Sequence, residues 1–565
     1  MVFSSPIFLF VFLPVACVLA LVSARNIRAQ NALLALVSVF FYAWGNPAFA
    51  LLLLVSTVVN YMIALRLGAV TPSPDAPHTT DAAAAVTAAA GAPSVHATAE
   101  APPSAAATAS HAAAVSPSVT AMDAARLAAA RKLYFTLCVV FNIGLLCVFK
   151  YTNFLVENLN RLPGVDIPDP GIPLPIGISF FTFQAMSYVL DVYGGRVRAQ
   201  RSLVGLLLYI SFFPQLIAGP IVRYGDIEPL LFARAPNVRD AAYGLRRFIV
   251  GLSKKLLLAN TVGAVADTVF KMNHAAAASA AGAGASAAVA VSGAEVSAAA
   301  SAAIASQGAL SDTLSGALPL ASPVAWLGAI AYALQIYYDF SGYSDMAIGL
   351  GRMLGFSFRE NFEWPYAAVG MRDFWRKWHI SLSVWFREYV YIPLGGNRRG
   401  KLREGANKLI VFFLTGLWHG ANWTFVVWGM FHGLFLMLET YGVIRIRRLP
   451  KPVAWLYTVL VAVVGFVIFR TATLTDAGWM LSSMFFGGAR GDFAAQLGQA
   501  LSLLRPSAIP AFAVAALAVF PIVPALTARL PKLQAAGFAL SVPLFFLCVL
   551  NLASATYNPF IYFRF

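Results

Sequence analysis

Apolar residues fall in runs of roughly 17 to 24, separated by short polar stretches rich in Arg and Lys. A bilayer core of about 30 Å needs about 20 mostly apolar residues per helix, so the pattern predicts an all-α polytopic membrane protein with about 12 transmembrane helices. The first run, MVFSSPIFLFVFLPVACVLALVSARN, lacks a basic segment before it and is too long for a secretory signal, so it is read as an uncleaved span. Further spans are predicted near 31–47, 50–66, 134–150, 172–193, 250–270, 323–340, 409–428, 430–444, 453–469, 508–526 and 536–553. The stretch SLVGLLLYISFFPQLIAGPIVRY has basic residues on both sides and is interrupted by Pro214, Gly219 and Pro220, so it is read as a re-entrant segment.

Two tracts break the pattern. Residues 70–130 are mostly Ala, Pro, Ser and Thr, and 274–320 mostly Ala, Gly and Ser. Neither buries enough apolar surface to offset ordering, so both are read as low-complexity insertions, the first disordered and cytoplasmic. The chain accordingly divides into 1–69 (membrane helices), 70–130 (insertion), 131–273 (membrane and re-entrant core), 274–320 (insertion), 321–444 (catalytic core) and 445–565 (last helices and tail).

Charge sets the orientation. Arg25 and Arg28 follow the first span, and Arg445 to Lys451 follow a later one, so the positive-inside rule puts the N-terminus and the tail YNPFIYFRF outside. With 59% hydrophobic and 11% charged residues and a mean hydropathy of +0.72, the chain is too apolar for a soluble protein of its 565 residues. The net charge of +16 is the usual excess of cytoplasmic loops, with no nucleic-acid-binding module beside it. Cys17, Cys138, Cys147 and Cys548 stand singly, without metal-ligand or disulfide spacing.

Candidate chemistry concentrates in 374–433, which holds His379, His419 and His432; the other four histidines, His78, His96, His111 and His274, lie in the Ala-rich tracts. A buried neutral imidazole is a competent general base, although buried histidines also serve as plain interhelical hydrogen-bonding partners. No zinc pattern or GxSxG elbow occurs. Residues 372–408 carry nine basic side chains interleaved with aromatics. Arg376, Lys377, Trp378, Arg398 and Arg399 suit a polyphosphorylated, ring-bearing ligand such as coenzyme A, while an ordinary loop at anionic headgroups is the plainer alternative. Asp339 and Asp345 are intramembrane acids, either functional or structurally paired.

The pieces LPIGISFFTFQAMSYVLDVY, FFPQLIAGPIVRY, YYDFSGYSDMAIGLGRMLGF, FWRKWHISLSVWFREYVYIPLGGNRRG and LTGLWHGANWTFVVWGMFHG together resemble the membrane-bound O-acyltransferase (MBOAT) superfamily, in its alginate and peptidoglycan O-acetyltransferase branch. The resemblance covers most of 174–433, and the Ala-rich tracts depart from it. It implies His419 as the family's invariant histidine and His379 as its second, less uniform one. It further implies that acetyl passes from cytoplasmic acetyl-CoA, with no permanently bound cofactor, to an acceptor outside the bacterial inner membrane. The tail Phe560-Ile-Tyr562-Phe-Arg-Phe565 is similar to an FxYxxF acyl-relay motif, with Tyr562 as carrier; an interfacial anchor is the alternative. The implied partner is a periplasmic or membrane-anchored esterase-like (SGNH-type) acetyltransferase that serves a polysaccharide acceptor, alginate or peptidoglycan. An exporter of a glycan or acylated precursor is the competing class, although no inverted repeat is visible.

Overall fold

The computed structural model describes residues 2–71, 121–234, 237–281, 320–487, 492–506, 508–530, 532–554 and 557–559. Its described residues form helices and connecting segments: α1 (Leu13–Val22), α2 (Ile27–Ala43), α3 (Pro47–Val70), α4 (Ala121–Leu146), α5 (Thr152–Leu159), α6 (Ile178–Tyr193), α7 (Leu203–Ser211), α8 (Phe213–Leu216), α9 (Tyr224–Phe232), α10 (Val238–Ser253) and α11 (Asn260–Ala281). After the second Ala-rich tract come α12 (Ser322–Met353), α13 (Met371–Lys377), α14 (Ile380–Phe386), α15 (Lys401–His419), α16 (Trp423–Tyr441), α17 (Lys451–Arg470), α18 (Leu474–Phe486), α19 (Phe493–Ser502), α20 (Ala508–Ala518), α21 (Ile522–Arg529) and α22 (Lys532–Ser554).

Among the described residues, five helical stretches are long and apolar enough to cross a bilayer: Pro47–Val70, Ala125–Leu159, Val238–Ala280, Lys451–Arg470 and Ala535–Ser554. The pair α20 and α21, bent by 67°, makes a sixth if counted as one broken span. The other predicted crossings fall on helices that are shorter or carry polar groups. Helix α12, for instance, is buried along most of its 32 residues and holds Gln335, Asp339 and Asp345, which protein rather than lipid surrounds. Leu21, Leu36, Leu51, Val140, Leu456 and Leu550 are all exposed by more than half, an apolar surface suited to lipid rather than water. The chain is a multi-pass membrane protein.

Two close helix crossings position the centre. Helices α10 and α12 meet at Gly251 and Gly342, where a Cβ on Gly251 would lie 2.5 Å from the Gly342 carbonyl oxygen. Helices α15 and α16 form an antiparallel hairpin, and a Cβ on Gly416 would lie 2.4 Å from the Phe425 oxygen. Small residues let backbones approach this far, and packing drives such pairs in a membrane. The hairpin corrects the predicted spans 409–428 and 430–444: the break comes at Gly420–Asn422, with Asn422 capping α16 through a 3.0 Å bond from Thr424 N–H. His419 is therefore the last residue of α15, beside the hairpin apex, and not in mid-span.

Among the described residues, four π turns interrupt the helices, at Phe8–Phe12, Cys147–Tyr151, Lys254–Ala259 and Arg387–Tyr391. Such turns are rare and recur at functional sites. The second and third each turn a lysine, Lys150 and Lys255, into the interior. Helix α11 continues through the first residues of the second Ala-rich tract, where His274 Nδ1 lies 3.0 Å from Asp476.

Candidate active site

Helices α13 and α14 meet at His379, which takes a left-handed backbone with φ of 44°. A residue with a Cβ pays roughly 1–3 kcal/mol for that conformation, so the surroundings must hold it. Asn361 does so: its backbone oxygen accepts Ile380 N–H at 3.0 Å, and its side-chain Oδ1 accepts Ser381 N–H at 3.2 Å and the Ser381 hydroxyl at 2.9 Å. Because a backbone N–H only donates, that atom of Asn361 is the oxygen. His379 Nδ1, 3.2 Å away, must then carry the proton and donate to it. Its Nε2 is left as a bare lone pair with no hydrogen-bond partner among the described residues, in a side chain 1% exposed. A neutral imidazole held in a fixed tautomer is what proton abstraction requires.

His419 is 7% exposed, and its ring is met edge-on by Trp418, Trp428 and Phe469 at centroid distances of 5.0, 5.0 and 5.1 Å. Its Nδ1 has no partner among the described residues. The Trp418 ring joins the two imidazoles, 6.0 Å from His379 and 5.0 Å from His419. His419 also lines a cavity of about 80 Å³ with Trp418, Lys150, Ile217 and the segment Leu174–Phe180. His432 is different: it is fully enclosed between Trp375 and Trp428, and its Nε2 sits against Gly465. It reads as a packing residue.

The last carbonyls of α15 are all accounted for by one π turn. Tyr151 OH donates to Leu417 O at 2.6 Å, and Lys150 Nζ donates to Trp418 O, to His419 O at 3.2 Å and to Ser179 Oγ at 3.2 Å. A second buried lysine, Lys255, pairs with Asp339 at 2.6 Å and donates to Pro559 O. The tail is tied down around it. Tyr557 OH donates to Asp267 at 2.7 Å, and Asn558 Nδ2 to Ser4 O at 3.0 Å. Asp345 pairs with Arg247 at 2.8 Å and Lys254 at 2.6 Å, so both intramembrane acids have cationic partners.

The predicted donor-side residues are distributed differently from the histidines. Trp378 is buried and packs on Phe374, Phe466 and Phe362. Arg376, Arg398 and Arg399 are exposed, and Lys377 pairs with Asp373 at 2.8 Å. On the fourth π turn, Arg387–Tyr391, Glu388 binds Arg223 at 2.7 Å. Burial alone would raise the Glu388 carboxyl, but the bond and charge of Arg223 outweigh it and hold the group below its usual range. Tyr562 lies outside the described residues. Lys150 and Asn361 were missed in the sequence; the only signal for Lys150 was a cation at the end of an apolar run.

Inside the helical core, the two buried imidazoles with unpartnered nitrogens, one of them at a cavity wall, are chemically able to accept a proton from a hydroxyl. The MBOAT, membrane-bound O-acyltransferase family, matches residues 309–473. The chain is similar to a probable alginate O-acetylase of Pseudomonas aeruginosa, 37% identical over 86% of this chain and 75% of the relative. It is 34% identical to that of Pseudomonas putida over 100% of both chains, and 30% identical to the peptidoglycan O-acetyltransferase of Helicobacter pylori over 86% of this chain and 80% of the relative. The chain belongs to the membrane-bound O-acyltransferase family and is an O-acyltransferase.

Proposed function

We propose that this enzyme takes acetyl from cytoplasmic acetyl-CoA and delivers it, across the inner membrane, for O-acetylation of an exported polysaccharide, alginate or a similar exopolysaccharide. The observation that carries the reading is His419, a buried imidazole with an unpartnered nitrogen at the wall of a cavity. In the reaction a hydroxyl oxygen adds to the acetyl carbonyl carbon while its proton passes to the imidazole; the carbon–sulfur bond then breaks and the departing sulfur takes the proton. His379, with Nε2 bare, is the second base of the same centre. The exposed Arg376, Arg398 and Arg399 suit the phosphates of the donor on the inner side. Names of relatives at 34–37% identity favour alginate; peptidoglycan is the second reading, from the Helicobacter pylori relative.

Tyr562 fits a carrier role because of how the preceding residues are held. Pro559 O is bound by Lys255, whose partner Asp339 precedes Phe340, and the Phe340 ring lies 4.6 Å from that of His379. Pro559 lies three residues before Tyr562 in the sequence. A twelve-crossing topology leaves the tail outside, where an esterase-like partner would accept acetyl from the tyrosine and pass it to the polysaccharide.

Purified protein in liposomes with labelled acetyl-CoA tests the reading. His419→Ala should insert normally and lose at least about 1000-fold in acetyl transfer, a size expected when a nucleophile loses its activating base. Full activity in that variant would remove His419 from the mechanism. Tyr562→Phe should abolish polysaccharide acetylation in cells without changing protein abundance; unchanged acetylation would sink the relay.

A further inference from the structure

Lys150 stands in an apolar helix, yet its side chain points inward: the residue is 9% exposed, while Val148 beside it is 51% exposed. Its ammonium finds two helix-end carbonyls and one hydroxyl, and no carboxylate lies within ion-pair distance among the described residues. Burying a cation without a counter-charge is expensive, by several kcal/mol. The negative end of the α15 dipole offsets part of that cost. Capping a helix end does not require a charge, however; a neutral donor, as Tyr151 shows one residue on, satisfies a carbonyl of the same turn. The cation also lines the same cavity as His419.

We propose that Lys150 is a positioning residue for the transfer at His419, an inference that rests on the acyl-transfer reading above. It ties the last turn of α15 to the first turn of α6 through Ser179, keeping the imidazole at the cavity wall. It also brings an ammonium, held in place by three oxygens, to the wall of the cavity in which the acyl oxygen becomes anionic during transfer. When the hydroxyl oxygen bonds to the acyl carbon, the carbonyl electron pair moves onto that oxygen as the proton goes to His419; collapse restores the carbonyl, expels the donor's sulfur or oxygen, and returns the proton to it. A preorganised charge acts on that step and not on donor binding, and removing one such group typically costs about 10²–10³ in kcat.

The test uses the full-length protein in liposomes with labelled acetyl-CoA. Lys150→Met, close in length and uncharged, should lower kcat by about 100-fold and leave the KM for acetyl-CoA within about twofold. Lys150→Arg, which keeps the charge, should recover at least about a tenth of wild-type kcat, a rescue that a purely space-filling role would not give. Ser179→Ala, which perturbs the site without burying or exposing a charge, should lower kcat by about threefold, and it carries the test if Lys150→Met fails to insert. Wild-type kcat in Lys150→Met, a loss confined to KM, or equal loss in the Met and Arg variants would each overturn the proposal; if Lys150→Met does not insert, wild-type kcat in Ser179→Ala would do so. Absence of acetyl transfer by the wild-type protein would instead remove the acyl-transfer reading on which it rests.

Discussion

The two buried lysines, Lys150 and Lys255, share almost everything except a counter-ion. Both sit on π turns, both interrupt apolar runs, and both donate to main-chain carbonyls hundreds of residues away in sequence, Lys150 to Trp418 and His419 and Lys255 to Pro559. Lys255 faces Asp339 at 2.6 Å, with both side chains at most 3% exposed. Lys150 has only neutral oxygens. At Lys255 the charge is consumed inside the pair, and what remains is a tether for the tail. At Lys150 the charge has no local use, and the group that shares its cavity is the candidate base.

The difference predicts opposite consequences of the same substitution. Lys255→Met removes the cation that faces the buried Asp339 carboxylate at 2.6 Å, and breaking one side of a buried pair costs about 3–5 kcal/mol. Thermal unfolding of the detergent-solubilised protein should show that loss, and the double variant Lys255→Met/Asp339→Leu should regain most of it because no lone charge is left. A single variant as stable as the wild type would mean that the pair carries little. Lys150→Met strands only neutral carbonyls, with a smaller expected cost of about 1–3 kcal/mol, so it should be the more stable of the two and the more damaged in turnover. If Lys150→Met proved the less stable protein, the contrast between the two sites would fail.

Much of this was legible in the sequence, for reasons that differ by residue. The apolar runs located most helices because lipid-facing surface must be apolar, and α17, at Lys451–Arg470, lies within two residues of its predicted span. The hairpin break was misplaced because the run GLWHGANWTFVVWG stays apolar across it, and the Asn422 cap was the overlooked signal. His419 was found from its neighbours, but its place beside the apex was not. Asp339 stood out as an intramembrane acid, whereas its partner Lys255 is distant in sequence and no local pattern joins them. Lys150 was read as the end of a span because periodicity cannot reveal a π turn, which rotates one side chain inward without changing the composition around it. Trp378 was read as a ligand-stacking surface from composition, and tertiary packing put it in the interior instead.

A third cation calibrates the comparison at its weak end. Arg223 binds Glu388 at 2.7 Å, but the side chains keep 23% and 18% exposure, so water screens both charges and the pair is worth about 1 kcal/mol or less. Glu388→Gln should therefore cost far less than Lys255→Met. Its effect should also depend on pH in a defined direction. The folded carboxyl is held below its ordinary value, so its contribution is fully present above the unfolded value, about 4.3, and is lost as pH falls through the lower folded value. The stability gap between wild type and Glu388→Gln should be steady near pH 7 and close as pH drops below about 4, where both proteins carry an uncharged group at this position. A gap that persisted unchanged in acid would mean that Glu388 acts through shape and not charge. In that case ion pairing would be a poor guide to what separates Lys255 from Lys150, since a pair open to titration would have failed to behave as a pair.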